Sequence, residues 1–210
     1  MDTLVLSTAL WTAFHEQWLE KDSNYPLKDF NASKYSAEEA VRGAGLKYYA
    51  IFRPPWLVHN YASLPNALHF PDLREVGELR TAIRVDLPIA HLDAYDVGRF
   101  AAAALLNPAP FASKEITLAA GNYSIKDAGR ELEVVTGSKI PVVQLDPADL
   151  IKDQGNFMNH IRGIIAIWAN EKGMTITEEQ LALQNSFGIE PTTIRAAFER
   201  IKDELPFVTV

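Results

Sequence analysis

Short apolar runs alternate with amphipathic stretches along most of the chain, and the last quarter carries amphipathic stretches alone. Leu4, Val5 and Leu6 form the first run, which closes in the hydroxyls of Ser7 and Thr8, as a buried strand leading into a polar loop does. From Trp11 to Pro26 the pattern is mixed, with Trp11, Phe14 and Trp18 at helical spacing, and predicts a short helix or ordered loop. Asn31 or Ser33 then caps a helix running to about Arg42, with Glu38 and Glu39 near its positive amino end and Gly43 and Gly45 as its stop. Residues 47–53, KYYAIFR, are almost continuously apolar or aromatic between a glycine and two prolines, which predicts a central strand.

Residues 56–80 mix aromatic, polar and small residues with Pro65 and Pro71, a pattern for a loop with a short helix covering a crevice. LRTAIRVDLPIAHL gives one or two short strands, and Asp93 or Asp96 caps DVGRFAAAALLN, a helix whose alanine-rich face allows close packing on a sheet. Strands are expected over 114–120 and 139–146, with a helix between them that Ser124 caps and Gly137 ends. Beyond Pro147 the chain turns helical, with Thr177 and Gln180 at capping-box spacing and Thr192 with Arg195 marking another start. Strand and helix in alternation, followed by helices, describe an α/β fold: a parallel sheet in one domain over 1–210, with a helical lobe, 147–210, packed on it.

Composition narrows the partners. In 210 residues, 20 Lys+Arg stand against 27 Asp+Glu, and the net charge of -7 without a basic cluster argues against direct binding of nucleic acid. There is no cysteine, which excludes disulfides and thiol chemistry and agrees with the cytoplasm. No apolar run approaches the roughly 20 residues that span a bilayer.

A strand ending in a proline-locked loop is where an open α/β sheet builds its ligand crevice. Lys34, on the helix after Ser7 and Thr8, can reach over the strand ends to hydrogen-bond a cofactor ribose, or act as a base if desolvation lowers its pKa; as an ordinary helix lysine it would be solvated. Arg53 is held extended by Pro54. It either pairs with a phosphate or carboxylate of a ligand or ties the loop to Glu38 or Asp96, and arginine's readiness to fork onto carboxylates favours the second. Pro54, Pro55 and Trp56 follow Arg53 at the crevice, Asn60 would orient the covering loop, and His59 is the histidine nearest the crevice. The five histidines show no metal-ligand spacing, and neither a GxSxG elbow nor a P-loop occurs.

NASKYSAEEAVRGAGLKYYAIFRPPWLVHNY, PIAHLDAYDVGRFAAAALLNP and KEITLAAGNYSIKDAGRELEVVTG together resemble the NmrA-like group of atypical short-chain dehydrogenases/reductases. Ser7-Thr8, Ser33-Lys34, Arg53-Pro54, Asn60, Asp96-Val97-Gly98 and Lys114 to Ala119 fall in that family's order. The resemblance, close over about residues 3–150, implies a Rossmann-like fold that binds NADP or NAD. It implies Lys34 and Ser7 as catalytic residues of an NAD(P)H-dependent oxidoreductase if the chain is active, with Thr8, Lys34, Pro54, Pro55 and Trp56 at the cofactor and His59 and Asn60 at the substrate. Two departures qualify it. The family's glycine-rich loop, which holds the pyrophosphate at a helix start, has no counterpart, so the fold is expected to be truncated to its carboxyl-terminal part, with cofactor binding impaired or lost. The residue four before the lysine, a proton-transferring tyrosine in the short-chain scheme, is Phe30, expected to pack under the crevice. Tyr35 points about 100° away on the helix and is a poor substitute.

Two functions follow. One is a dinucleotide-dependent reductase or, favoured by Phe30, a redox sensor acting on a regulatory protein partner, in the cytoplasm or nucleus. The other is a non-catalytic interaction module or inactive remnant, which self-associates through its exposed first strand.

Overall fold

The computed structural model describes residues 2–23, 25, 27–62, 68–153 and 155–206. In chain order its elements are β1 (Thr3–Ser7), α1 (His15–Lys21), α2 (Lys28–Gly43), β2 (Tyr48–Arg53), β3 (Trp56–Leu57), α3 (Pro71–Glu75), β4 (Leu79–Thr81), β5 (Ile89–Leu92), α4 (Ala94–Leu106), β6 (Lys114–Thr117), β7 (Gly121–Tyr123), α5 (Ile125–Thr136), β8 (Val142–Gln144), α6 (Pro147–Lys152), α7 (Phe157–Lys172), α8 (Glu178–Asn185) and α9 (Ile194–Arg200). Among these, no helix is long and apolar enough to cross a membrane. The elements form two compact units, each assembled from three separate segments of chain.

The first unit comprises residues 1–55, 94–119 and 176–191. Its sheet is parallel throughout, in the order β1-β2-β6, with Thr3 to Ser7 paired to Tyr48 to Phe52 and Ala50 to Arg53 paired to Lys114 to Thr117. The strand read as central is central, because the run Ala50, Ile51 and Phe52 is buried on both faces. Phe52 meets the edges of Phe100 and Phe111 at 6.0 and 6.3 Å between ring centroids, and Phe111 stacks on Phe187 at 4.3 Å. Full burial of each such ring stabilises by about 1.5–3 kcal/mol. The strand expected over 114–120 ends at Thr117 because Ala119 leaves the ladder: its N–H and carbonyl bond the side chain of the fully buried Gln184 at 2.6 and 2.9 Å.

The second unit comprises residues 56–93, 120–175 and 192–210. Here β5 pairs β3 in parallel and β7 antiparallel, while β4 and β8 form a separate parallel pair. Tyr61 is its centre: fully buried, stacked on Phe70 at 4.8 Å and edge-on to Phe198 at 5.3 Å. The stretch read as a covering loop holds β3, a 3-10 turn (Val58–Tyr61), α3 and β4, and its residues 63–67, Pro65 included, lie outside the described residues. The helices after Pro147 are shared between the units, α8 with the first and α6, α7 and α9 with the second.

The helix starts show how far local signals reach. Ser124 caps α5 with a full capping box to Asp127, Gly137 closes it at φ 70°, and Thr177 with Gln180 makes the box that opens α8. At α9 the cap is Thr193 rather than Thr192, its hydroxyl accepting from the Ala196 N–H. Neither Asn31 nor Ser33 caps α2. That helix begins at Lys28 with no side-chain cap, the Asn31 N–H already bonds the Leu27 carbonyl at 2.9 Å, and the Ser33 hydroxyl donates to the Phe30 carbonyl at 2.8 Å.

Candidate functional site

At the carboxyl end of β1 the Ser7 side chain is exposed and Thr8 turns inward. The Thr8 N–H continues the ladder to the Phe52 carbonyl at 2.9 Å, and the Leu10 N–H bonds the Pro54 carbonyl at 3.0 Å. The loops after β1 and β2 are thus laced together, and Ser7, Thr8, Pro54 and Pro55 share one end of the sheet. The Thr8 hydroxyl donates to Glu38 Oε1 at 2.6 Å. Its proton is committed, so only its lone pairs remain for a ligand.

Glu38 is the hub of that end. It is fully buried on α2 and receives Arg53 Nε at 2.9 Å, Arg53 Nη2 at 2.5 Å and Arg42 Nη2 at 2.9 Å. Arg42 and Arg53 also grip Glu115 of β6, at 2.6 Å from Arg42 Nε and 2.5 Å from Arg53 Nη2. Arg42 also pairs with the more exposed Glu39, so two guanidinium groups face three carboxylates and the cluster carries a net negative charge. Burial pushes the Glu38 carboxyl up, but the bonds from Arg53 and Thr8 and the two arginine charges outweigh it and hold the pKa below the ordinary value. Glu115 is lowered chiefly by its bond from Arg42. For Arg53, burial opposes the charge and the two glutamates more than compensate, so its pKa is raised. Arg53 is therefore committed within the protein, tying the strand end to Glu38 as arginine's chemistry favoured. Glu38 itself is a correction: it serves the Arg53 network and not the helix dipole.

Lys34 precedes Glu38 by four residues and so lies on the same face of α2. Because Glu38 reaches Thr8 at the strand end, Lys34 stands one helical turn, ~5.4 Å, beyond it. It lies in the second turn of α2, half-buried, and makes no ion pair among the described residues. Its Nζ sits 5.8 Å from the centroid of the Phe30 ring. Phe30 was expected to pack under a crevice; it is 50% exposed instead, because the face of α2 that turns inward is the one carrying Asn31, Glu38 and Val41. Tyr35 faces elsewhere, toward the His15 ring at 5.2 Å, and its phenol is pushed up to about 12, first by its bond to Glu16.

The remaining candidates belong to the second unit. Trp56 opens β3 at 7% exposure, and its Nε1 is buried near the Tyr61 hydroxyl with no acceptor in full hydrogen-bond geometry among the described residues. His59 and Asn60 lie half-buried in the 3-10 turn, where the His59 pKa is lowered by burial, against Glu204 and with Arg200. Sequence reasoning missed Glu115 altogether. Its signal was faint: a single acid, beside Lys114, in a short strand whose neighbour ends in an arginine.

The family model described as NmrA-like family matches residues 9–200. The chain belongs to the NmrA-like family. Solved structures share its fold at low identity. NADPH-dependent quinone oxidoreductase QOR2 from Escherichia coli, complexed with NADPH, is 19% identical with a TM-score of 0.67, over 96% of this chain and 66% of that one. NmrA, a negative transcriptional regulator in complex with NADP, is 16% identical with a TM-score of 0.66, over 97% and 66%. Triphenylmethane reductase from Citrobacter sp., complexed with NADP(H), is 14% identical with a TM-score of 0.66, over 98% and 66%. This NmrA-like chain thus spans about two thirds of the solved chains it matches, and they establish its Rossmann-like α/β fold. No curated protein matches it in sequence.

Proposed function

We propose that this NmrA-like protein binds NADP or NAD weakly and works as a redox-responsive regulatory protein rather than as a reductase. The observation that carries the reading is the pair Phe30 and Lys34: the lysine makes no ion pair among the described residues and stands one turn beyond the strand end, and its helical neighbour offers a ring face where a reductase needs an ionisable proton. The residues present fit the nicotinamide-ribose end of a dinucleotide. Lys34 would donate to the ribose hydroxyls, Thr8 would accept with its free lone pairs, Ser7 would present an exposed hydroxyl, and Pro54 and Pro55 would form one wall. Bound cofactor would supply hydride chemistry, and this chain lacks the partner that delivers the accompanying proton. No glycine-rich loop occurs in these 210 residues to cradle a diphosphate, so the affinity is expected to be low. Structural relatives include a regulator in complex with NADP as well as reductases, which supports the regulatory class without naming a partner.

Titration calorimetry with NADPH tests this. A weak, saturable heat is expected, abolished by Lys34→Ala at unchanged melting temperature. Flat titrations at millimolar cofactor would remove the reading. NADPH oxidation with quinone acceptors above the buffer rate, lost in Lys34→Ala, would turn it into the reductase form.

The interaction-module reading rests on β1, which among the described residues bonds a strand on one side only. A protein partner or a second copy could pair with the other edge. Sedimentation velocity showing a monomer from micromolar to millimolar concentration would exclude the second copy.

A further inference from the structure

We infer that the cleft where α7 lies against β4 in the second unit binds the carboxylate group of a small organic acid, held by the Arg162 guanidinium and the Trp56 indole N–H. The inference does not depend on the dinucleotide reading. The cleft is lined by Trp56, His69, Phe70, Thr81, Arg162 and Ile165. Its polar groups are an excess of donors. Among the described residues Arg162 finds only neutral acceptors, Asn159 Oδ1 at 2.9 Å and the Arg80 carbonyl at 3.5 Å, the latter at the limit of a hydrogen bond. No carboxylate of the described residues lies within ion-pair distance of it, and none of the other residues of the chain carries an acidic side chain. Asp72, the acid whose charge it feels, stands 3.9 Å from Arg80. Burial accordingly lowers the Arg162 pKa, the mark of a charge whose lost hydration is not fully compensated.

Trp56 supplies a second donor, with Nε1 sealed from solvent and no acceptor in hydrogen-bond geometry among the described residues. The nearest acceptor is the Tyr61 oxygen, close enough for the indole N–H to pull that phenol's pKa down against burial but outside hydrogen-bond geometry, and the Tyr61 proton is used elsewhere. His91 Nδ1 donates to the Ile89 carbonyl at 3.0 Å, so His91 Nε2 accepts, and Tyr61 is its donor at 3.1 Å. The third donor is His69, whose ring meets Trp56 edge-on at 4.9 Å. Burial, helped by the Arg162 charge, pulls its pKa down to about 4, so at neutral pH it adds an N–H but no second positive charge. The Thr81 hydroxyl already accepts from the Ile83 N–H at 3.1 Å.

Charge and size then select the ligand group. One unmatched cation calls for one negative charge, and a guanidinium fork with an indole N–H matches two carboxylate oxygens. The enclosed space measures about 20 Å³, room for about one water-sized group, so a carboxylate enters by one oxygen with the rest at the cleft mouth, and the bulkier tetrahedral phosphate fits less well. Phe70 and Ile165 give the carbon next to the carboxylate an apolar wall.

The test is the indole N–H resonance of Trp56 in 15N-labelled protein without cofactor, assigned by its loss in Trp56→Phe and followed while sodium acetate is added against sodium chloride and sodium phosphate at equal ionic strength. A saturable shift with acetate alone is expected, weakened about tenfold or more in Arg162→Met and partly restored in Arg162→Lys. A shift no larger than that from chloride, one matched by phosphate, or one undiminished in Arg162→Met would overturn the assignment and leave a site for a single water. Should Arg162→Met fail to fold, the comparison of the three salts on the unaltered protein decides alone.

Discussion

At the scale of the residue, the organising fact is that Arg53, the arginine at the end of the central strand, is spent on Glu38 and Glu115, whereas Lys34, one turn from Glu38 on α2, makes no ion pair among the described residues. That division was half legible: Arg53 named its own partner class through the chemistry of a guanidinium, whereas Glu115 was hidden by the need to know which strands are neighbours. The network makes a pH prediction. The Glu38 pKa is lower folded than unfolded, so its stabilisation is complete above the unfolded value of about 4.3 and is lost as pH falls through the folded value. Urea midpoints should therefore be flat from neutral pH to mildly acidic and fall below about pH 4. Glu38→Gln should cost about 3 kcal/mol at pH 7, since Arg53 and Arg42 lose a buried counter-charge, and should flatten the acid limb of the profile. Two parallel profiles for the parent and Glu38→Gln would mean that the carboxylate is not the titrating group.

At the scale of the element, sequence reads a helix end well when a side chain does the capping and poorly when none does. Ser124 and Thr177 were visible for that reason, and the start of α2 at Lys28, with Leu27 in the cap position and no capping side chain, was not. Glycines inside helices are illegible in the same way, because the pattern cannot say what lies opposite. Gly163 of α7 has the Ile151 side chain 2.7 Å and the Pro147 carbonyl 2.9 Å from where a Cβ would stand, both from α6, whereas Gly98 of α4 has nothing within 4 Å. The two should answer alanine with opposite signs. Gly98→Ala gains about 0.5–1 kcal/mol from helix propensity. Gly163→Ala loses about 1–3 kcal/mol, because the backbone carbonyl cannot move aside as a side chain end can. Urea midpoints of the two variants measure this, and a gain in Gly163→Ala would show that α6 and α7 are not packed as closely as described.

At the scale of the whole molecule, the alternation of strands and helices announced the α/β class, but no periodicity announces that the chain returns to each unit after leaving it. The helices after Pro147 read as one lobe because they are contiguous in sequence, while their partners lie far back along it. Gln184 holds both backbone groups of Ala119 in the first unit, and Phe198 packs on Tyr61 in the second. Neither unit is a continuous piece of chain, so neither can be cut out by a single break, and pairings so distant in sequence also make slow folding the expectation. Ending the chain after Thr175 removes residues 176–191 from one unit and 192–210 from the other. It uncovers Ala119, Phe111 and Tyr61, the last fully buried in the intact protein. The shortened chain should therefore lose the near-ultraviolet circular dichroism of its packed aromatic rings and bind a hydrophobic dye. A truncated chain that kept a sharp urea transition with the parent's midpoint would show that the tail is peripheral and that the strands and helices before it suffice to close both cores.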